Sequence, residues 1–360
     1  MRNKKIRYAV VGLGHIAQTA VLPAFKHAEN SKLAAIVTGS RKKDRELSER
    51  YRIKAYTYDD LEAALEKEQV DAVYIATPNI LHREHTERAA QAGVHVICEK
   101  PMATTQEDCE AMMRAAAENN VKLMIAYRLH FNDANLHAVR TAKSGDLGDL
   151  RYFGSLFGLQ VKEGNVRTRK DLGGGTLFDI GIYCINAARY LFRDEPIEVV
   201  GLTANNGERR FAEIDEMTGV VMRFPHERLA TFMCSFGSPD VSHYTKGHVR
   251  LENAYEYQGE LKCVTTIGGK KTEKIFKPGD QFAPELIYFS DCIIHDRAPE
   301  PSGNEGLADV RIINAIYESA EIGRAVRVEP VPKKRRPDKT MQIKRPPVKK
   351  PESVGASAPH

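Results

Sequence analysis

The chain of 360 residues has no tryptophan, no Cys-x-x-Cys pair and no long apolar run. A membrane-spanning helix needs ~18 consecutive apolar residues, so no transmembrane helix is expected. The six cysteines (Cys98, Cys109, Cys184, Cys234, Cys263 and Cys292) are scattered. Without paired spacing they indicate neither a zinc site nor a redox dithiol, and no metal is expected. Free thiols in a reducing compartment fit that distribution. The N-terminus, MRNKKIRYAVVGLG, sets a short apolar run behind basic residues, but that run leads into glycines, not a small-residue cleavage site. It reads as a first β-strand of a cytoplasmic protein. No segment repeats at a period of roughly 20 to 50 residues, which argues against a solenoid.

The formal net charge is +5, but residues 331–360 hold nine Lys or Arg against two acids, so the rest of the chain is slightly acidic. That tail is rich in proline and poor in apolar side chains. It buries too little of its own surface to offset the entropy of ordering, and a disordered tail is expected. Its basic clusters have no aromatics on which bases would stack, so nucleic acid is not the expected partner.

What the sequence does contain begins with IRYAVV (6–11), followed at once by GLGHIA and a helix-compatible segment, then KLAAIVTG (32–39). Strand, glycine turn, helix and strand in that order form a dinucleotide-binding pattern. Gly12 permits the tight turn, Gly14 lets the backbone approach a pyrophosphate, and small Ala17 lets helix and strand pack closely. The N–H groups that follow, at His15 and Ile16, are phosphate donors. At the end of the second strand an NAD site usually carries an acid for the ribose hydroxyls. This chain has Thr38, Ser40, Arg41, Lys42 and Lys43 instead. A carboxylate would repel a 2′-phosphate, whereas Ser40, Arg41 and Lys43 would bind it, so the expected cofactor is NADP.

Three more buried-type strands, VDAVYIAT (70–77), VHVICEK (94–100) and VKLMIAY (121–127), alternate with helical runs. This predicts an α/β fold whose first domain, residues 1–127, is a doubly wound parallel sheet. Ligands bind beyond the C-terminal strand ends of such sheets. The cofactor-side candidates there are Thr77, Pro78, Asn79 and His82, then Glu99 and Lys100, then Arg128. Lys100, at a strand end before a proline, is the candidate catalytic cation. From about residue 128 to 330 the segments alternate or run apolar with turn-like breaks, and an antiparallel sheet is expected.

Within that second part stands GGGTLFDIGIYCINAARY (173–190). On a regular helix Asp179, Tyr183 and Asn186, spaced by four and three, share one face. Arg167, Arg169 and Lys170 precede the glycines. They fit substrate contacts and a surface loop equally well. Asp215 and Glu216 read as solvated acids at a strand edge.

GLGHIA, ATPNILH, EKP and GGGTLFDIGIY, in that order, resemble the glucose–fructose oxidoreductase/inositol dehydrogenase (Gfo/Idh/MocA) family over about residues 5–330. Many members have histidine where this chain has Tyr183, and the D-I-G-I-Y form is similar to the glucose–fructose oxidoreductase branch. The resemblance implies a Rossmann domain followed by an α/β domain with a large, mostly antiparallel open sheet. One face of that sheet forms a subunit interface, so a homo-oligomer is implied. It further implies NADP, often held through turnover, and a sugar substrate bound by Lys100, Arg167, Asp179 and Tyr183.

Alcohol oxidation needs a hydride acceptor and a proton acceptor together. A phenol accepts a proton near neutrality only with a cation beside it. Tyr183 is therefore the expected base, with Lys100 tuning it and holding the substrate oxygen, and Asp179 orienting the lysine or the sugar. Neutral Lys100 as the base stands as the reverse assignment. The expected reaction oxidises C1 of a cyclic aldose to a lactone, with a second sugar taking the hydride back in a ping-pong cycle. The alternatives are a dehydrogenase of an inositol, polyol or deoxysugar with dissociating NAD(P), and a non-catalytic NADP-binding regulator.

Overall fold

The structure, a computed structural model, describes residues 5–146, 148–237, 249–257, 259–267, 270–332, 336–348, 351–356 and 358. The chain divides into two compact units. The first comprises Met1–Arg128, Gly279–Gly306 and Ile343–Ala358. Its sheet has six strands: β1 (Ile6–Val11), β2 (Ser31–Val37), β3 (Lys54–Tyr56), β4 (Ala72–Ile75), β5 (His95–Glu99) and β6 (Leu123–Ala126). All pair in parallel, in the order β3-β2-β1-β4-β5-β6. The glycine turn leads into a π-turn (Ala17–Val21) and α1 (Leu22–Ala24). The other crossover helices are α2 (Arg41–Tyr51), α3 (Leu61–Lys67), α4 (His82–Gln91) and α5 (Gln106–Glu118).

The central strands are apolar on both faces because helices cover both, and β4 is buried throughout. Each fully buried Val, Ile or Leu contributes about 1.5–3 kcal/mol. Ser40 and Thr105 cap α2 and α5, accepting from the N–H groups of Lys43 and Asp108. Register levels the strand ends: Val11 lies opposite both Val37 and Ile75, and Ile75 opposite Cys98. The strand order reverses between β1 and β4, which is the switch point where such sheets bind ligands.

Two parts of the first unit were not expected there. β3 is a three-residue edge strand, too short to show a pattern. The helix α8 (Ala283–Ile294), placed by sequence in the second domain, lies on β1 and β2 instead. The Ser290 hydroxyl is 2.9 Å from Tyr8 Oη and 2.8 Å from Ser31 Oγ, and Asn30 donates to the Ile287 carbonyl. These partners are distant in sequence, so no local pattern announces them.

The second unit contains Leu129–Pro278 and Leu307–Gln342. Its elements are α6 (Asp133–Lys143), β7 (Tyr152–Gly158), α7 (Ile182–Phe192), β8 (Glu198–Ala204), β9 (Met217–Phe224), β10 (Arg228–Ser235), β11 (Val249–Glu252), β12 (Leu261–Ile267), β13 (Lys270–Phe276), α9 (Gly303–Ile322, after its first turn) and β14 (Val326–Arg327). The main sheet runs β14-β8-β9-β10-β7, with β7 parallel to β10 and the other pairs antiparallel. β11, β12 and β13 form a separate antiparallel sheet. Side chains alternate along the main sheet. Met222, Phe224, Ala230, Phe232 and Cys234 are buried, whereas Leu156, Val200, Leu202, Val221 and Met233 are exposed. Cross-strand register sets Val200 opposite Val221, and Met233 opposite Leu156, so the open face is apolar.

A buried polar network holds α7. Arg189, fully buried, donates to Glu195 (2.6 and 3.1 Å) and to Asp309 (2.5 Å). Arg336, from the basic tail, donates to the same Glu195 at 2.7 Å. Described residues of 331–360 thus lie against the body, with Val331, Met341 and Val354 buried. The expectation of disorder weighed only the tail's own apolar content. Its anchors are carbonyls, acids and grooves supplied by the rest of the chain. Among the described residues, no helix is long and apolar enough to cross a membrane, and no group of three or more His, Cys, Asp or Glu could hold a metal ion.

Candidate active site

In the first unit the candidate residues collect at the C-terminal strand ends. Gly12 has φ +91°, and its N–H donates to the Val37 carbonyl at 3.0 Å. A Cβ there would stand 2.6 Å from the Ala76 carbonyl oxygen, so the glycine lets β1 and β4 close up. Gly14 differs: a Cβ there would meet nothing within 4 Å. Its backbone faces open space at the start of a helical segment, which is the cradle a pyrophosphate needs. Thr38 Oγ1 accepts from the Ser40 N–H at 3.3 Å, and Ser40 caps α2. Arg41 is exposed and Lys43 half-buried, and no acid stands at the end of β2. The Thr77 hydroxyl is buried with no hydrogen-bond partner among the described residues. An open glycine cradle, a hydroxyl-and-cation loop and an orphaned buried hydroxyl together fit NADP.

Other candidates have structural work. His82 is fully buried, its Nδ1 2.9 Å from the Pro101 carbonyl oxygen and its Nε2 3.1 Å from that of Thr77. Burial pushes the imidazole down to about 4, and the neutral ring has a single N–H to donate to one of these two carbonyls. Glu99 accepts from the Tyr74 hydroxyl at 2.8 Å, and burial raises its carboxyl. Arg128 is buried and donates to Gln281, just before α8. Pro78 precedes a short 3₁₀ turn, Asn79–Leu81, that starts α4. Lys100 directly follows β5 and is half-buried.

In the second unit the glycine run explains itself through the loop before it. The N–H groups of Gly174 and Gly175 donate to the carbonyls of Arg169 (2.9 Å) and Arg167 (3.1 Å). A Cβ on Gly174 would stand 2.4 Å from the Arg167 carbonyl oxygen. Loop and glycine run are therefore stitched together, and this sets Arg167 Nε 2.6 Å from Asp179 Oδ2. Burial opposes charge on Arg167, but the Asp179 carboxylate and, after it, the Tyr183 and Tyr257 phenols together outweigh it, so the guanidinium is held more firmly protonated. The Tyr183 ring stacks on Tyr255 (centroids 5.7 Å apart) and meets Phe157 edge-on (5.8 Å). Asp215 accepts from the Tyr317 hydroxyl at 2.9 Å and from Thr218 at 2.7 Å, and Thr176 also bonds to it. It braces the start of the segment that bears Asp179 and is no free edge acid.

That segment is not a regular helix. Leu177–Gly181 is a π-turn, and α7 begins only at Ile182. A π-turn inserts a residue into the helical repeat, so spacings of four and three do not keep Asn186 on the face of Asp179. Asn186 is buried, its Nδ2 donating to Asp309 at 2.9 Å and its Oδ1 2.7 Å from His130 Nε2.

Residues 6–127 match a family described as "Oxidoreductase family, NAD-binding Rossmann fold", and residues 136–258 match its partner, the "GFO/IDH/MocA C-terminal domain". A D-xylose 1-dehydrogenase [NADP(+)] from Haloarcula marismortui is 31% identical over 350 residues, covering 91% of this chain and 94% of that protein. The chain belongs to the Gfo/Idh/MocA oxidoreductase family. Among solved structures, an aldose-aldose oxidoreductase from Caulobacter crescentus complexed with glycerol shares 38% identity at a TM-score of 0.85, over 90% of this chain and all of that one. A 3-ketoreductase from Actinomadura kijaniata, at 24% identity and a TM-score of 0.80, shares the fold.

For this Gfo/Idh/MocA oxidoreductase, sequence reasoning missed the Arg167–Asp179 pair as a pair. It named both residues but gave Asp179 a lysine or a sugar as partner. The available signal was the glycine run, since three consecutive glycines mark a place where backbone must approach backbone.

Proposed function

We propose that this chain is an NADP-dependent oxidoreductase acting on CH–OH groups of sugars, and that it oxidises C1 of a cyclic aldose to the lactone. The observation that carries the cofactor is the end of β2, where Thr38, Ser40 and Lys43 stand in place of an acid. The substrate class is supported by the half-buried ion pair Arg167–Asp179 beside the ring-stacked Tyr183 and by similarity to sugar-oxidising relatives.

Bound NADP supplies the acceptor for the hydride that leaves C1. The Gly14 turn with the His15 and Ile16 N–H groups seats the phosphates, and Ser40, Arg41 and Lys43 take the 2′-phosphate. Tyr183 takes the proton of the C1 hydroxyl while Lys100 holds that oxygen. As hydride and proton leave, the C1–O single bond becomes the lactone carbonyl. Asp179, fixed by Arg167, accepts from a neighbouring sugar hydroxyl and sets the ring's orientation. The aromatic seat of Tyr183 (Phe157 and Tyr255) limits the rotation of the phenol, and so aims its oxygen. A cofactor held through turnover would, in its reduced form, supply that hydride to a second sugar, giving a ping-pong cycle. The apolar outer face of the five-stranded sheet is the surface we assign to a second copy of this chain.

Tyr183→Phe tests the assignment, because it keeps the ring packing and removes only the proton acceptor. Turnover with an aldose should fall by at least about a hundredfold, the usual worth of a positioned base, with NADP affinity unchanged. Turnover near the wild-type level in either direction would show that Tyr183 is not the base.

A further inference from the structure

The C-terminal segment crosses the cofactor half of the first unit along a defined path. Arg345 donates to the His27 carbonyl at 3.0 Å and pairs with Glu29. Pro347 and Val348 share one depression with Leu22, Tyr51 and Ile53. Arg50, in the last turn of α2, donates to the Glu352 carbonyl at 2.8 Å. Val354 then makes two bonds to one side chain: its N–H donates to Gln18 Oε1 (2.7 Å), and its carbonyl accepts from Gln18 Nε2 (2.9 Å). Gln18 also donates to the Leu13 carbonyl, inside the glycine turn, at 2.9 Å. Gly355 comes next, where an ideal Cβ would lie 3.6 Å from Lys43 Cε. The segment thus climbs the groove beside α2 from its C-terminal end to its N-terminal end, which is the edge that receives the dinucleotide.

Two features make this more than surface packing. Gln18 and Val354 are almost fully buried (1% and 5% exposed), and the Gln18 amide is satisfied by the segment on one side and the glycine turn on the other. Lys43, an otherwise flexible side chain, has its stem laid against Gly355 and its ammonium partly stripped of water. A cation pre-placed in this way binds an anion with less entropy left to lose.

We propose that Glu352–Gly355 form a strap belonging to the cofactor site, which through Gln18 and Lys43 presets the glycine turn and the 2′-phosphate ligand and so sets the preference for NADP over NAD. This rests on the reading of Lys43 as a 2′-phosphate ligand. The test uses the whole enzyme freed of nucleotide, a chain ending at residue 350, and Val354→Pro in the full chain, which removes the N–H donated to Gln18. Both variants should bind NADP about tenfold more weakly, the worth of one charge-assisted contact. NAD affinity should change less than about twofold, and kcat at saturating NADP should stay as it is. Lys43→Ala in the full chain should show the same NADP-selective loss, and shortening that variant should add nothing. Unchanged NADP binding in both strap variants overturns the proposal, and so do equal losses for NADP and NAD with a lowered melting temperature. A selective loss that persists on shortening Lys43→Ala overturns the route through Lys43. Lys43→Ala with no selective loss overturns the 2′-phosphate reading itself.

Discussion

Two glycines two residues apart, Gly12 and Gly14, separate folding from cofactor binding. At Gly12 an alanine meets a left-handed φ of +91° and a carbonyl oxygen 2.6 Å from its Cβ. Left-handed backbone costs about 1–2 kcal/mol, and forcing a methyl against backbone costs about 1–3 kcal/mol more. The total, about 2–5 kcal/mol, is a large share of a typical stability of about 5–15 kcal/mol. At Gly14 φ is not positive, and the added methyl meets nothing within 4 Å. Gly14→Ala should leave the fold as stable as before, or more stable by up to about 1 kcal/mol through the unfolded chain. It does put a methyl where the pyrophosphate must approach. The same overpacking range then falls on binding, weakening NADP about five- to 150-fold. Thermal melting of the nucleotide-free variants and titration with NADP give both numbers. Gly14→Ala that binds NADP like the wild type, or melts as early as Gly12→Ala, would refute the assignment of this turn.

Gly174→Ala should act on catalysis through Arg167. Its Cβ would sit 2.4 Å from the Arg167 carbonyl oxygen, and displacing that loop by about 1 Å should cost roughly a hundredfold in kcat/KM, measured with NADP saturating; wild-type kcat/KM would refute the role of the stitched loop. Glu285 offers a pH test. Burial and then the charge of Glu99 hold its proton well above the usual carboxyl range. The folded chain therefore binds this proton more tightly than the unfolded chain, and the group's contribution to stability is lost as pH rises from the unfolded value toward the folded one. Glu285→Gln removes the linkage, so its melting temperature should gain on the wild type as pH rises above the usual carboxyl range, and a difference independent of pH would contradict this. Arg189→Met should destabilise by about 3–5 kcal/mol, since it takes the guanidinium from the buried Asp309 charge and leaves Glu195 only Arg336 as its cation; denaturant unfolding measures it, and a loss below about 1 kcal/mol would show that the network is not load-sharing.

Much of the first unit is legible in the sequence because its signals are local. A buried strand, the glycine turn and the acid-free end of β2 all fall within Ile6–Lys43, and the chain fixes their neighbourhood directly. What depends on distant partners is not legible. Nothing near Ala283–Ile294 reveals that Ser290 will meet Tyr8 and Ser31. Nothing in ATPNILH reveals that His82 will face two backbone carbonyls. At the candidate site the residue types were readable and their partners were not. Asp179 and Tyr183 announce themselves by chemistry, but Asn186 was placed with them by assuming a regular helix, and the π-turn at Leu177–Gly181 breaks that repeat. Asp215 read as a solvated acid because its partners, Thr176 and Tyr317, come from elsewhere in the chain. The tail misled for a related reason: composition measures what a segment can bury within itself, not the groove it enters.

The most direct test of sugar oxidation at C1 is the absorbance of the purified enzyme with NADP, before and after adding single aldoses. Reduced nicotinamide absorbs near ~340 nm, a property of the cofactor itself. A band that rises with a cyclic aldose, together with the corresponding lactone in the product, and that is absent in Tyr183→Phe, is the predicted result. A band that fails to rise with any aldose but rises with an inositol or another polyol would contradict it.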